Sequence, residues 1–249
     1  MIITGAIFDI DGTLIDSMKI WDNLGERYLL KLGIQPENNL SKVLYPMTLN
    51  ESCLYLKNHY SLTYSTDKIE QDLLKILNDF YYFEVPSKKG VNNFLATLKK
   101  LNIPMVLTTS GNKDLAIVAL KRLNLLKYFK AIFTCDEMQT TKKEPYIFDK
   151  AAHYINSKPQ HTLVFEDNLD AINTAKENGF ITIAIEDTFN IYNKEIFQAS
   201  ADYYLDDFSN NEIFTKYFKN NIREGEEYEN SINNCWKRLF RRCRNPSGY

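Results

Sequence analysis

Two carboxylates stand two residues apart in Phe8-Asp9-Ile10-Asp11-Gly12-Thr13, directly after an apolar stretch and directly before a turn. Alternate residues of an extended chain share a side, so Asp9 and Asp11 can address one substrate. An ordinary Asp-Gly turn is the plain alternative. A second acidic pair, Glu166-Asp167, closes the apolar run HTLVF. Acids gathered in one place repel one another unless something neutralises them, and a divalent cation would do so. With only oxygen donors on offer, Mg²⁺ suits the set better than zinc or copper. Asp167-Asn168 could instead cap the helix that follows, which accounts for one acid but not for acids at several strand ends. Thr109 and Ser110 end the run VLTTS and offer a hydroxyl and a backbone N–H ahead of a helix. That placement suits phosphate, and simple helix capping is compatible with it. Lys142 and Lys143, in TTKKEPYIF, are either solvated surface or a cation that offsets the acids and holds an anion. The residues alone leave open which lysine points inward.

These residues need elements to bring them together. Residues 2–8 read as a short strand ending at Asp9. Residues 17–86 carry helical spacing without an intervening strand: Ile20, Leu24, Tyr28 and Leu32 lie on one face, with Gly33 as a C-cap and Asn50 and Thr66 as N-caps of later helices. After Pro86 the pattern alternates. Strands are expected at IPMVLTT, KAIFT, HTLVFE and FITIAI, with helices at GVNNFLATLKKLN, KDLAIVALKRLNL, EPYIFDKAAHYIN and AINTAKENG. Such alternation predicts right-handed βαβ units and an α/β, doubly wound parallel sheet. Near-continuous apolar strands predict a sheet covered on both faces. Sites in these sheets form at the carboxyl ends of strands, which puts Asp9-Asp11, Thr109-Ser110 and Glu166-Asp167 on one edge.

Composition narrows the class of protein. The chain has 249 residues, 44% apolar and 25% charged, close to globular averages and enough for a sizeable core. No apolar run approaches the roughly 20 residues of a membrane-spanning helix, and MIITGAIFDIDGT lacks the features of a secretory leader. Four scattered cysteines (Cys53, Cys135, Cys235, Cys243) predict reduced thiols and a cytoplasmic protein. His59, His153 and His161 have no zinc-ligand spacing. The net charge of −2 divides unevenly. Residues 231–249 carry Lys237, Arg238, Arg241, Arg242 and Arg244 and no acids, +5, so the other 230 residues carry −7. An acidic body argues against nucleic acid as a partner. The basic tail, with Trp236, Leu239 and Phe240, reads as a frayed terminus, membrane docking being its alternative.

The ordered set FDIDGT, VLTTSG, KKEPYIF and VFEDN resembles the haloacid dehalogenase superfamily of phosphotransferases, over residues 2 to about 208. The resemblance implies a Rossmann-like core of residues 1–16 and 87–208, a helical cap of residues 17–86, and an extension of unknown role at 209–249. It implies that Asp9 is the nucleophile and Asp11 the general acid/base. Gly12, Thr109, Ser110 and Lys142 would face the phosphoryl group. Asp9, Asp11 (through its main-chain carbonyl), Glu166 and Asp167 would hold Mg²⁺. Lys142 is preferred to Lys143 because Pro145-Tyr146-Ile147-Phe148 aligns with the family's K-P-x-P-D-x-F ending; Lys143 and Tyr146 depart from it. The implied activity is Mg²⁺-dependent hydrolysis of a small phosphorylated metabolite, with a sugar phosphate as the default. A monomer or weak dimer is expected. Asp11 argues against dehalogenation, which needs no proton for its leaving group. A β-phosphoglucomutase-like mutase is a closer rival, but Trp21 stands where those enzymes resemble one another in a His, and Leu49 stands near their Arg. A non-catalytic phosphate-ligand binder on the same fold is the third reading. Of the aromatics Trp21, Tyr45, Tyr81, Tyr82 and Phe83, most are expected to be core, with one or two facing the site.

Overall fold

The computed structural model describes residues 3–209 except 189, 191 and 192. Its strands are β1 (Gly5–Phe8), β2 (Met105–Thr109), β3 (Ile132–Thr134), β4 (Thr162–Glu166), β5 (Ile181–Ile185) and β6 (Tyr203–Leu205). They form one sheet in the order β3-β2-β1-β4-β5-β6, every neighbouring pair parallel. Every residue of β1, β2, β4 and β5 is buried, the signature of strands covered on both faces. Phe8 and Phe165, neighbours in register on β1 and β4, stack at 4.2 Å on one face, with Phe94 edge-on to Phe165 at 5.3 Å. The opposite face sets Ile7, Val106 and Val164 against Ile147, Phe148 and Ala151. The chain moves outward from β1 through β2 to β3, then returns to β4 on the other side of β1. This reversal places a crevice at the carboxyl ends of β1 and β4, where ligands bind in doubly wound sheets.

Between β1 and β2 the chain forms α1 (Lys19–Lys31), α2 (Leu40–Leu44), α3 (Leu49–His59) and α4 (Thr66–Asp79), followed by a wide π-helical turn, Phe80–Glu84. Helix α1 buries Ile20, Leu24 and Tyr28 and ends at Gly33, whose φ of +74° lets Ile34 N–H donate back to Leu29. Helices α3 and α4 start one or two residues earlier than the sequence suggests. Thr48 rather than Asn50 caps α3, because Thr48 and Glu51 form a reciprocal capping box. Ser65 rather than Thr66 caps α4 by accepting from Lys68 N–H. The two segments joining this helical insertion to the sheet pair with each other. Asp16 N–H donates to Pro86 O and Lys88 N–H to Leu14 O, each at 2.9 Å.

The remaining helices are α5 (Val91–Lys100), α6 (Lys113–Arg122), α7 (Cys135–Met138), α8 (Tyr146–Tyr154), α9 (Leu169–Glu177) and α10 (Lys194–Ser200). Residues Thr4–Ser209 make one compact unit. Strand β6 and helices α2, α7 and α10 have no counterpart in the sequence reading; each is only 3 to 7 residues long. Among the described residues no helix is long and apolar enough to cross a membrane. Cys53 and Cys135 are buried and unpaired. Cys235, Cys243 and the basic tail lie outside the described residues.

Candidate active site

Asp9 follows β1 and Glu166 ends β4, so the pairing of those two strands fixes both acids at the crevice. Lys142, from the segment before α8, donates from Nζ to Asp9 Oδ1 and to Glu166 Oε1, the latter at 2.5 Å. Its side chain is only 10% exposed. Lys143 is 75% exposed and pairs at the surface with Asp170. The geometry therefore separates two lysines that residue type alone leaves equivalent, and it buries Lys142, the one the motif resemblance prefers. Burial works against the charged form of Lys142, but Asp9 and Glu166 outweigh it and hold its pKa above the ordinary lysine value.

Asp9, Glu166 and Asp167 each present a carboxylate oxygen within 4.8 Å of the others. Asn168, not Asp167, caps α9 by accepting from Ala171 N–H. Asp167 is thereby released to the site, where Oδ1 accepts from Thr13 Oγ1 at 3.2 Å. Gly12 makes room for it. Its φ is +82°, and a β-carbon there would stand 2.2 Å from Asp167 Oδ2. Burial, then the charges of Asp9, Glu166 and Asp187, pushes the Asp167 carboxyl well above the usual carboxylate range. Burial also pushes Glu166 up, against the pull of Lys142. One lysine thus faces three acids, a charge deficit that a divalent cation would fill, and an all-oxygen donor set suits a hard ion. Glu166 is already engaged on both oxygens: Oε2 accepts from the N–H groups of Asp167 and Asn168, as well as Oε1 from Lys142.

The Asp11 carboxylate lies outside that trio. Its Oδ1 accepts from Ser17 Oγ at 2.7 Å and from Tyr81 OH at 2.6 Å. Its Oδ2 would stand 2.7 Å from a β-carbon on Gly111, so a side chain at 111 would displace the Asp11 carboxylate from this position. Burial, then the neighbouring charge of Asp9, raises the Asp11 pKa, while Tyr81 and Ser17 pull it down. The Tyr81 phenol is itself raised, first by burial and then by Asp11. Thr109 Oγ1 accepts from Gly111 N–H at 2.8 Å, and Ser110 is exposed at the end of β2. Neither caps α6, which Asn112 does through Asp114 and Leu115 N–H.

The structure therefore gathers Asp9, Asp11, Gly12, Lys142, Glu166 and Asp167 at one crevice, with Thr109 beside it through Gly111. The sequence gives no role to Ser17 or Gly111, and it marks Tyr81 only as one of five aromatics of which one or two are expected to face the site. A D-G-T turn gives no hint of a serine six residues past Asp11, and Tyr81 sits in an aromatic run that reads as packing. The aromatics differ from expectation in another way. Tyr81 is buried, but Trp21, Tyr45, Tyr82 and Phe83 are 46%, 67%, 45% and 73% exposed, so most of the five are not core.

Comparison with known proteins agrees with this sheet order and site. Residues 6–185 match the haloacid dehalogenase-like hydrolase family, to which this chain belongs. A phosphoglycolate phosphatase of Neisseria gonorrhoeae is 27% identical over 199 residues, 74% of this chain and 80% of that protein. A phosphorylated carbohydrates phosphatase of Thermotoga maritima is 24% identical, covering 70% of this chain and 81% of that protein. Among solved structures, a candidate beta-phosphoglucomutase of Thermotoga maritima shares the fold with a TM-score of 0.73 at 22% identity, over 82% of this chain and 94% of that one.

Proposed function

We propose that this chain is a Mg²⁺-dependent phosphatase acting on a small phosphorylated metabolite in the cytoplasm, with residues 17–86 as a cap over a core of residues 1–16 and 87–208. The observation that carries the reading is the Asp9–Lys142–Glu166 chain of contacts with Asp167 alongside. Phosphatase relatives support the reaction class. Phosphate monoesters resist hydrolysis so strongly that enhancements of about 10²¹ are known. Asp9 attacks phosphorus in line, and the P–O bond to the leaving alcohol breaks as an aspartyl-phosphate forms. Asp11 gives its proton to the departing oxygen, then takes one from the water that attacks the intermediate, releasing inorganic phosphate and restoring both carboxyl groups. Lys142, Thr109 Oγ1, and the backbone at Ser110 and Gly12 hold the phosphoryl oxygens. Asp9, Glu166, Asp167 and the Asp11 carbonyl would hold Mg²⁺, which supplies positive charge against the phosphoryl group. Hydrolysis of para-nitrophenyl phosphate that requires Mg²⁺ is expected. No hydrolysis of it or of a broad phosphomonoester panel, with Mg²⁺ present, would leave the binding-protein reading in its place. A mutase would convert a hexose phosphate to its isomer without releasing phosphate.

Mg²⁺ should also stabilise the fold. The raised pKa values of Asp11, Glu166 and Asp167 mean the metal-free native state holds protons that the unfolded chain has lost. Their contribution to metal-free stability is therefore greatest at acid pH and declines as pH rises through that window. Mg²⁺ competes with those protons, so its stabilisation grows as pH rises through the Glu166 pKa, pushed up to about 7. At a hundredfold excess over Kd, the gain is about 2.7 kcal/mol, or roughly 5–10 °C in Tm. Thermal melts of Asp167→Asn should show little of this gain; a full Mg²⁺ shift in that variant would contradict the ligand assignment.

Tyr81→Phe tests the acid. The alkaline limb of kcat/KM reports the group that must be protonated in the free enzyme. Tyr81 stabilises the charged form of Asp11, so removing its hydroxyl raises the Asp11 pKa. At saturating Mg²⁺ the limb should move to higher pH. An unmoved limb would assign it to another group.

A further inference from the structure

The helical insertion holds a cavity of about 460 Å³ lined by Met18, Trp21, Leu44, Tyr45, Met47 and Leu49, with Leu24, Leu56 and Leu73 behind. None of its lining residues carries a charge; Ser52, Tyr45 and Trp21 supply its polar side-chain atoms. Its wall begins at the chemistry. Met18 follows Ser17, which donates to Asp11, and Met18 Cγ would lie 3.1 Å from a β-carbon on Gly12. Met18 thus joins the wall of the cavity to the residues around Asp11 and Gly12, where the alcohol portion of a phosphomonoester bound at Asp9 would begin.

We propose that the substrate's alcohol portion is an apolar ring or aryl group seated in this cavity, in preference to the sugar phosphate that the sequence suggests by default. This rests on the hydrolase reading above and names its substrate class. The volume falls in the range of small-molecule sites, and such sites combine apolar walls with few polar groups. A sugar ring brings several hydroxyls, and each one buried without a partner costs binding. An apolar ring gains instead from leaving water. Trp21 and Tyr45, 46% and 67% exposed, are large apolar surfaces that such a ring would cover.

The test compares kcat/KM of the full chain with Mg²⁺ on cyclohexylmethyl phosphate and on a hexopyranose phosphorylated at its primary hydroxyl. The two share a ring size and a primary leaving alcohol and differ in hydroxylation. The apolar ester should be favoured by roughly 10- to 100-fold. Trp21→Ala should erase most of that preference, lowering the apolar ester about tenfold and the hexose phosphate by clearly less, and an equal fall for both esters would contradict the proposal. Equal or greater activity on the hexose phosphate would overturn the substrate class while leaving the hydrolase reading intact. Failure to hydrolyse either ester or para-nitrophenyl phosphate would overturn the hydrolase reading, and this proposal with it.

Discussion

Asp9→Asn should lower phosphatase turnover by at least about 10⁴-fold, because an amide cannot attack phosphorus and the remaining site supplies only charge and orientation. The fold should survive the change. Lys142 keeps Glu166 as a partner, and the trio loses one of its mutually repelling charges. Thermal melting without metal should therefore fall by little or rise. Kinetics at saturating Mg²⁺ and substrate check the prediction. Turnover within tenfold of the unsubstituted chain would remove Asp9 from the nucleophile's role.

Lys142→Ala should damage both activity and stability. Its ammonium is the cation shared by Asp9 and Glu166, both almost wholly buried. Removing one partner of a buried charge pair leaves the other uncompensated, at about 3–5 kcal/mol. For a chain of this size that is a fall in Tm of roughly 10 °C or more. The loss should be larger at neutral than at acid pH, since protonation of Glu166 relieves it, and Mg²⁺ should recover part of it. Turnover should fall about 10²- to 10³-fold with the loss of a cation aimed at the phosphoryl oxygens. Lys143→Ala is the control. It removes an exposed pair with Asp170 and should change stability by less than about 0.5 kcal/mol. Comparable effects at both positions would contradict the assignment of Lys142.

The parallel sheet was legible because strands buried on both faces leave continuous apolar runs, and the acids stand directly after them. Strand β6 was not, since Tyr203–Leu205 is short and only partly buried. Asp9, Asp11, Glu166 and Asp167 announced themselves by clustering at strand ends. Lys142 and Lys143 are identical in type and adjacent in sequence, so residue chemistry does not separate them; the motif resemblance prefers Lys142, and the packed chain buries it against Asp9 and Glu166. Tyr81 is among five aromatics of which one or two are expected to face the site, but nothing in the sequence singles it out: an aromatic between Phe80 and Tyr82 reads as packing, and a π-helical turn has no sequence period to reveal where its hydroxyl points. The cavity was concealed differently. Helical spacing tells which residues share an apolar face but not whether that face closes on another helix or stays open. Met18, Trp21, Tyr45, Met47 and Leu49 come from α1, α3 and the turns around them, and only their assembly shows the space they enclose.

In the proposed reaction the phosphoryl group passes through a covalent adduct on Asp9 before water takes it. The stereochemical course at phosphorus, followed with a chiral phosphorothioate monoester and the full chain with Mg²⁺, tests this most directly. Each in-line displacement inverts phosphorus, so transfer to Asp9 and then to water predicts net retention. Net inversion would show a single displacement by water and exclude the Asp9 adduct.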